Sequence, residues 1–123
     1  MTTELMRRAG VALGAGLLLV STGCGGAAVP HGAQAEATAA MRSAREVGAE
    51  GQPQASYYLE LAEEQMASAE ALIDEGQMQR AERLLRQAEA DAELAIALTR
   101  EAAISSDASE TRDRIRDMRE RHL

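Results

Sequence analysis

YYLELAEEQMASAEALIDEGQMQRAERLLRQAEADAELAIALTREA, residues 57–102, is two apolar stripes separated by one glycine. Leu59, Ala62, Met66, Ala69 and Ile73 recur at spacings of three and four, widened by Tyr58 and Leu72. That is the period of one helix face. Gly76 ends the run where a left-handed residue is wanted. Beyond it Ala81, Leu85, Ala88, Ala92, Ala95, Thr99 and Ala102 form a second stripe, broadened by Leu84, Ile96 and Leu98. A short connection makes antiparallel neighbours. The block therefore predicts a hairpin folded at Gly76, with Tyr58 near Leu94, Ile96 or Leu98.

Working outward, Ala33, Ala37, Ala40, Ala44 and Val47 form another stripe, nearly all alanine, and Gly48 and Gly51 mark its end. "GQPQAS" reads as a loop in which Pro53 opens the next helix at its first turn or Ser56 caps it. The expected helices cover about 33–50, 54–75 and 77–104, together a helical domain over 33–104. On the C-terminal side "SSDAS" weakens the pattern, and Asp107 and Glu110 are spaced like a capping box. Residues 105–123 are expected to be a charged helical tail, either a new helix or an extension of the third. Glu110 with Arg114, and Asp117 with Arg121, stand four apart with the acid first, the favourable order. Ile115 and Met118 carry a thin apolar seam along this tail. The fold class is all-α: an Ala-rich helical hairpin completed to a three-helix bundle, with an extended C-terminal helix.

Composition agrees with helix and narrows function. The 123 residues include no Lys, Trp, Phe or Asn, and two Tyr are the only aromatics. Thirteen basic residues face 20 acidic ones, a net charge of −7. The first 23 residues contribute +1 through Arg7, Arg8 and Glu4, which leaves −8 for the rest. So acidic a body repels phosphates, and no nucleic-acid partner is expected. A core of Ala with few Leu, Ile and Met is thin for a domain this small, so a homo-oligomer or an envelope protein partner is expected to complete it.

The N-terminus supplies an address. Arg7-Arg8 precede an apolar run from Ala9 to Val20, the length of a signal-peptide core and short of the roughly 20 residues of a membrane span. Ser21, Thr22 and Gly23 are small, and Cys24, the only cysteine, follows. The pattern resembles a bacterial lipoprotein signal peptide (residues 1–23) with its lipobox, although Ser21 stands where Leu or a similar apolar residue is usual. The resemblance implies cleavage before Cys24, and lipid such as palmitate and diacylglycerol on it. Two or more chains would anchor the protein stably. Gly25, in place of the Asp that retains such proteins in the inner membrane, implies the outer membrane, facing the periplasm. Residues 24–32 then form the lipidated Cys and a flexible tether that includes Pro30 and His31.

No catalytic constellation is apparent. The two histidines are His31 and His122, Glu63-Glu64 fall at solvent-facing helical positions, and no Cys/His grouping has metal-ligand spacing. No catalytic residue, no cofactor, no metal and no enzymatic activity are expected. The major murein lipoprotein of enteric bacteria, similar in size and helicity, is joined to peptidoglycan through a C-terminal Lys. This chain has no Lys, so no covalent peptidoglycan link is expected.

The block 57–102 is similar to the bacterial lipoproteins grouped as domain of unknown function 4398. The matching pieces are the Gly76 turn, Ala81-Glu82-Arg83-Leu84 and Ala90-Asp91-Ala92-Glu93-Leu94-Ala95. The resemblance implies an address and a fold and no activity. The same block faintly resembles one tetratricopeptide unit, of which about three are needed for stability. The expected function is a lipid-anchored structural or adapter module meeting the membrane through Cys24, with Tyr58, Ile115 and Met118 as interaction candidates. A tetratricopeptide-like peptide-binding lipoprotein is the alternative.

Overall fold

A computed structural model of the chain describes residues 26–122. The expected signal segment 1–23, the lipidation residue Cys24 and Gly25 lie outside the described residues. Three helices follow one another: α1 (His31–Glu46), α2 (Pro53–Asp74) and α3 (Met78–Arg121), with a 3₁₀ turn at Ala49–Gly51 between the first two. The fold is an all-α three-helix bundle. The α2/α3 hairpin is its largest interface, and α1 lies chiefly on α3.

The helix ends follow from local chemistry and correct several expected bounds. α1 begins at His31, two residues before Ala33, so His31 and Gly32 belong to the helix and not to a tether. Pro30 sits at the cap, and the Gln34 amide reaches its carbonyl at 3.0 Å. α1 stops at Glu46, short of the expected Glu50, because Gly48 turns left-handed with φ +87°. The chain then winds into the 3₁₀ turn, which buries Ala49 completely. Pro53 opens α2 at its first position, where its missing N–H costs no bond.

At the hairpin, Gly76 has φ +75°. The Gly76 amide donates to the Ile73 carbonyl at 2.9 Å, and the Gln77 amide to that of Leu72 at 2.8 Å. These two bonds make a Schellman motif, which satisfies carbonyls the ending helix would otherwise leave free.

α3 runs unbroken for 44 residues, about 66 Å at 1.5 Å per residue. Of the two readings of residues 105–123, the extension of the third helix holds, and α3 does not end at 104. "SSDAS" stays helical, and the Asp107/Glu110 spacing does not cap a new helix. The serines cause no break because a hydroxyl can return to the helix's own carbonyls. Ser109 Oγ donates to the Ser106 carbonyl at 2.8 Å.

Among the described residues, eleven of the fourteen buried hydrophobic ones are alanine; Met41, Leu59 and Leu85 are the others. The main cluster joins Ala37, Met41 and Ala44 of α1 with Leu59 and Ala62 of α2 and Ala88, Ala92 and Ala95 of α3. A smaller cluster near the hairpin turn holds Ala33, Ala69, Ala81 and Leu85. Alanine lets the helix axes approach closely, but each residue removes little apolar area from water. α1 turns Met41 inward, whereas Val47, read as part of its stripe, is 37% exposed, because the stripe is cut short by Gly48.

Candidate functional site

The buried seam of α3 is Ala81, Leu85, Ala88, Ala92, Ala95 and Thr99. Thr99 fits there because its hydroxyl donates to the Ala95 carbonyl at 2.8 Å. Its continuation at the same spacings passes half-buried Ala102 and then falls on Ser106, Ser109, Asp113 and Arg116, which are polar and exposed. No residue of α3 after Thr99 is buried. The last third of the helix therefore projects past the bundle. It leaves beside the start of α2, where Gln52, Gln54 and Ala55 meet Leu98, Glu101, Ala102 and Ser105 around one hollow.

A second seam begins where the first ends. Ile104, Ala108, Thr111, Ile115 and Met118 are spaced 4, 3, 4 and 3 residues apart. They lie about 140° round from the buried seam on a helix of 3.6 residues per turn. The second seam thus faces away from the bundle. Ile104 is 69% exposed, Ile115 40% and Met118 47%. These are the spacings of a coiled-coil stripe.

Charge is sorted around this seam. Arg112 and Arg119 follow it on one side, and Asp107, Arg114 and Arg121 on the other, while Glu110, Asp113, Asp117 and Glu120 share the opposite face. Arg114 pairs with Glu110 at 2.6 Å and Arg116 with Asp113 at 3.2 Å. Arg121 Nε donates to the Asp117 carbonyl at 3.3 Å. Among the described residues Arg112 and Arg119 are in no ion pair. Arg112, Ile115, Arg116 and Arg119 line a shallow hollow of about 290 Å³.

The opposite charge lies on α2. It carries Glu60, Glu63, Glu64, Glu70 and Asp74 and no basic residue. Glu63 is held by Arg45 of α1. Among the described residues the other four are in no ion pair. Tyr57 stands on this outer face, 60% exposed, with its ring edge-to-face on Tyr58 at 5.3 Å. Tyr58, the tyrosine singled out from the sequence, is half-buried against the main cluster, where Ile96 and Leu98 also pack. Leu94, its third expected neighbour, is 39% exposed. Ile115 and Met118 do lie together on one exposed face.

Gln65 escaped the sequence reading. It lies on the buried face of α2, only 7% exposed, and its Nε2 donates to Asp91 Oδ2 of α3 at 2.7 Å. Its position three after Ala62 and four before Ala69 was the available signal. Elsewhere on α3, Arg86 Nη2 donates to Glu82 Oε1 at 2.9 Å. That bond, with the Glu82 charge, raises the Arg86 pKa above its ordinary value.

Among the described residues no group of three or more His, Cys, Asp or Glu could hold a metal ion. No helix among them is long and apolar enough to cross a membrane. His31 opens α1 and His122 caps α3, both exposed.

Residues 32–111 match the family model described as Domain of unknown function (DUF4398). No curated protein and no solved structure matches the chain. The matched span takes in α1, α2 and α3 as far as Thr111, so the arginines from Arg112 onward lie outside it. With nearly the whole bundle inside the match, the chain belongs to the DUF4398 family.

Proposed function

We propose that this protein is a lipid-anchored helical interaction module of the bacterial cell envelope, without a reaction of its own. The carrying observation is the last third of α3, which projects from the bundle with an apolar seam that nothing in the described chain covers. The address rests on the Cys24 pattern, with Gly25 favouring the outer membrane and the periplasmic side. α1 fills the face of the α2/α3 hairpin that a tetratricopeptide groove would need, which favours the module over the peptide binder.

Two measurements test the two halves of this reading. Membrane fractionation with intact mass, wild type against Cys24→Ala, tests the anchor. Wild type is expected in the membrane with added acyl mass, and the variant soluble or unprocessed. A soluble wild type cut elsewhere removes the anchor. A photo-crosslinker at Ile115, compared with one at Asp113 on the acidic face, tests the module. Adducts are expected from Ile115 and far fewer from Asp113. No adduct from either position sinks the interaction reading.

A further inference from the structure

We propose that the arginine-flanked seam of α3 docks on the acidic outer face of α2 in a second copy of this chain. The inference rests on the interaction reading above and names the partner.

Charge selects the occupant. Two tails pair poorly with each other through the C-terminal part of their seams. In a parallel pair Arg114 of one copy would meet Arg119 of the other, and in an antiparallel pair each flank would meet the same flank of the other copy, arginine against arginine except at Asp107 and Ser105. Like charges set opposite each other disfavour such a pairing. The seam therefore needs an acidic surface with some apolar content at helix spacing.

The outer face of α2 has that character. Tyr57, half-buried Leu61, Glu64, Ser68 and Ala71 lie along it at spacings of four and three, with Glu60 and Asp74 beside them. α2 has no basic residue to oppose the arginines. The lengths also agree. Ile104 to Met118 and Tyr57 to Ala71 each take 15 residues, end to end about 21 Å of helix.

A tail cannot reach its own α2. α3 is one continuous helix that leaves the bundle beside the start of α2 and runs away from it. The α2 face must then belong to another copy. Because the two surfaces differ, the contact is head-to-tail, and each copy keeps its own α2 face free for the next.

The test is cysteine cross-linking of the full chain in its own membrane, with two copies bearing different tags. One copy carries Met118→Cys. The other carries Tyr57→Cys or Ala71→Cys. Oxidation is expected to give an adduct holding both tags. Adduct at Ala71→Cys reads a parallel docking and adduct at Tyr57→Cys an antiparallel one; either supports the proposal. Arg112→Glu with Arg119→Glu in the first copy is expected to cut the yield about tenfold or more. Glu60→Arg with Glu64→Arg in the second copy is expected to restore it, which a folding defect would not allow. No two-tag adduct at either position, or no rescue by the swapped charges, overturns the proposal. If the Ile115 photo-crosslinker still captures another envelope protein or lipid, the module reading stands while this partner falls. If it captures nothing, both fall.

Discussion

Gln65 Nε2 donates to Asp91 Oδ2 across the α2/α3 interface at 2.7 Å, and Gln65 itself is 7% exposed. It is a polar bond in an alanine core, and it holds the two hairpin helices in one register. Asp91→Ala strips the buried amide of its partner, at an expected cost of about 1–3 kcal/mol. Gln65→Leu with Asp91→Ala is expected to be more stable than Asp91→Ala alone, since no buried amide is then left unpaired. Thermal or urea denaturation of the three proteins decides it. A double variant no better than the single would mean the bond is not what Asp91 contributes.

Among the described residues Leu85 is the one large side chain that is fully buried. Its buried neighbours in the cluster, Ala33, Ala69 and Ala81, are small, and Met66, Leu72, Ile73 and Leu84 pack on the cluster from its edge. Leu85→Ala should cost about 2–5 kcal/mol. The same core should resist enlargement. Ala88→Leu places a longer side chain where helix axes are close, and about 1–3 kcal/mol of overpacking is expected. Denaturant midpoints measure both. A neutral Ala88→Leu would show room between the helices that the packing does not suggest.

The alternation of three and four identified the α2/α3 hairpin and every buried residue on α3, because alanine and leucine repeat there without interruption. Gly76 was legible for the same reason: it stands alone between two long stripes. The end of α1 was not legible to the residue. Gly48 and Gly51 are both plausible stops, and only tertiary packing of Ala49 decides for the earlier one. The 105–109 stretch misled in the other direction. Serine and aspartate lower helix propensity, yet a long helix already nucleated extends through them at little cost. Tyr58 and Tyr57 are adjacent, and composition does not say which turns inward. The projecting seam was half visible as Ile115 and Met118; its start at Ile104 becomes apparent only once α3 is known to be continuous.

Gly76 and Gly48 carry the two left-handed turns, at φ +75° and +87°. A Cβ at either position would meet nothing within 4 Å. The cost of Gly76→Ala or Gly48→Ala is therefore backbone strain alone, about 1–2 kcal/mol each. The turns are separated along the chain and share no partner, so the two effects should add. A double variant that loses much more than the sum, in a chemical denaturation series, would mean the turns are coupled through α2.

The projecting third of α3 should be dispensable for folding. No described residue after Thr99 is buried, and the ion pairs beyond it, Arg114–Glu110 and Arg116–Asp113, are exposed and local. Such pairs contribute about 0.3–0.5 kcal/mol to their own helix and nothing to the bundle. Ending the chain after Ala108 should therefore leave the denaturation midpoint of the bundle within about 0.5 kcal/mol of the full chain. Hydrogen exchange should agree, with slow amides from Ala81 to Thr99 and fast ones beyond Ser109, where an isolated helical end opens without disturbing the core. A truncation that destabilises the bundle by several times that amount would mean the tail packs on its own copy, and the seam would no longer be available to a second one. A neutral truncation that also removes the two-tag adducts would separate folding from association within one helix.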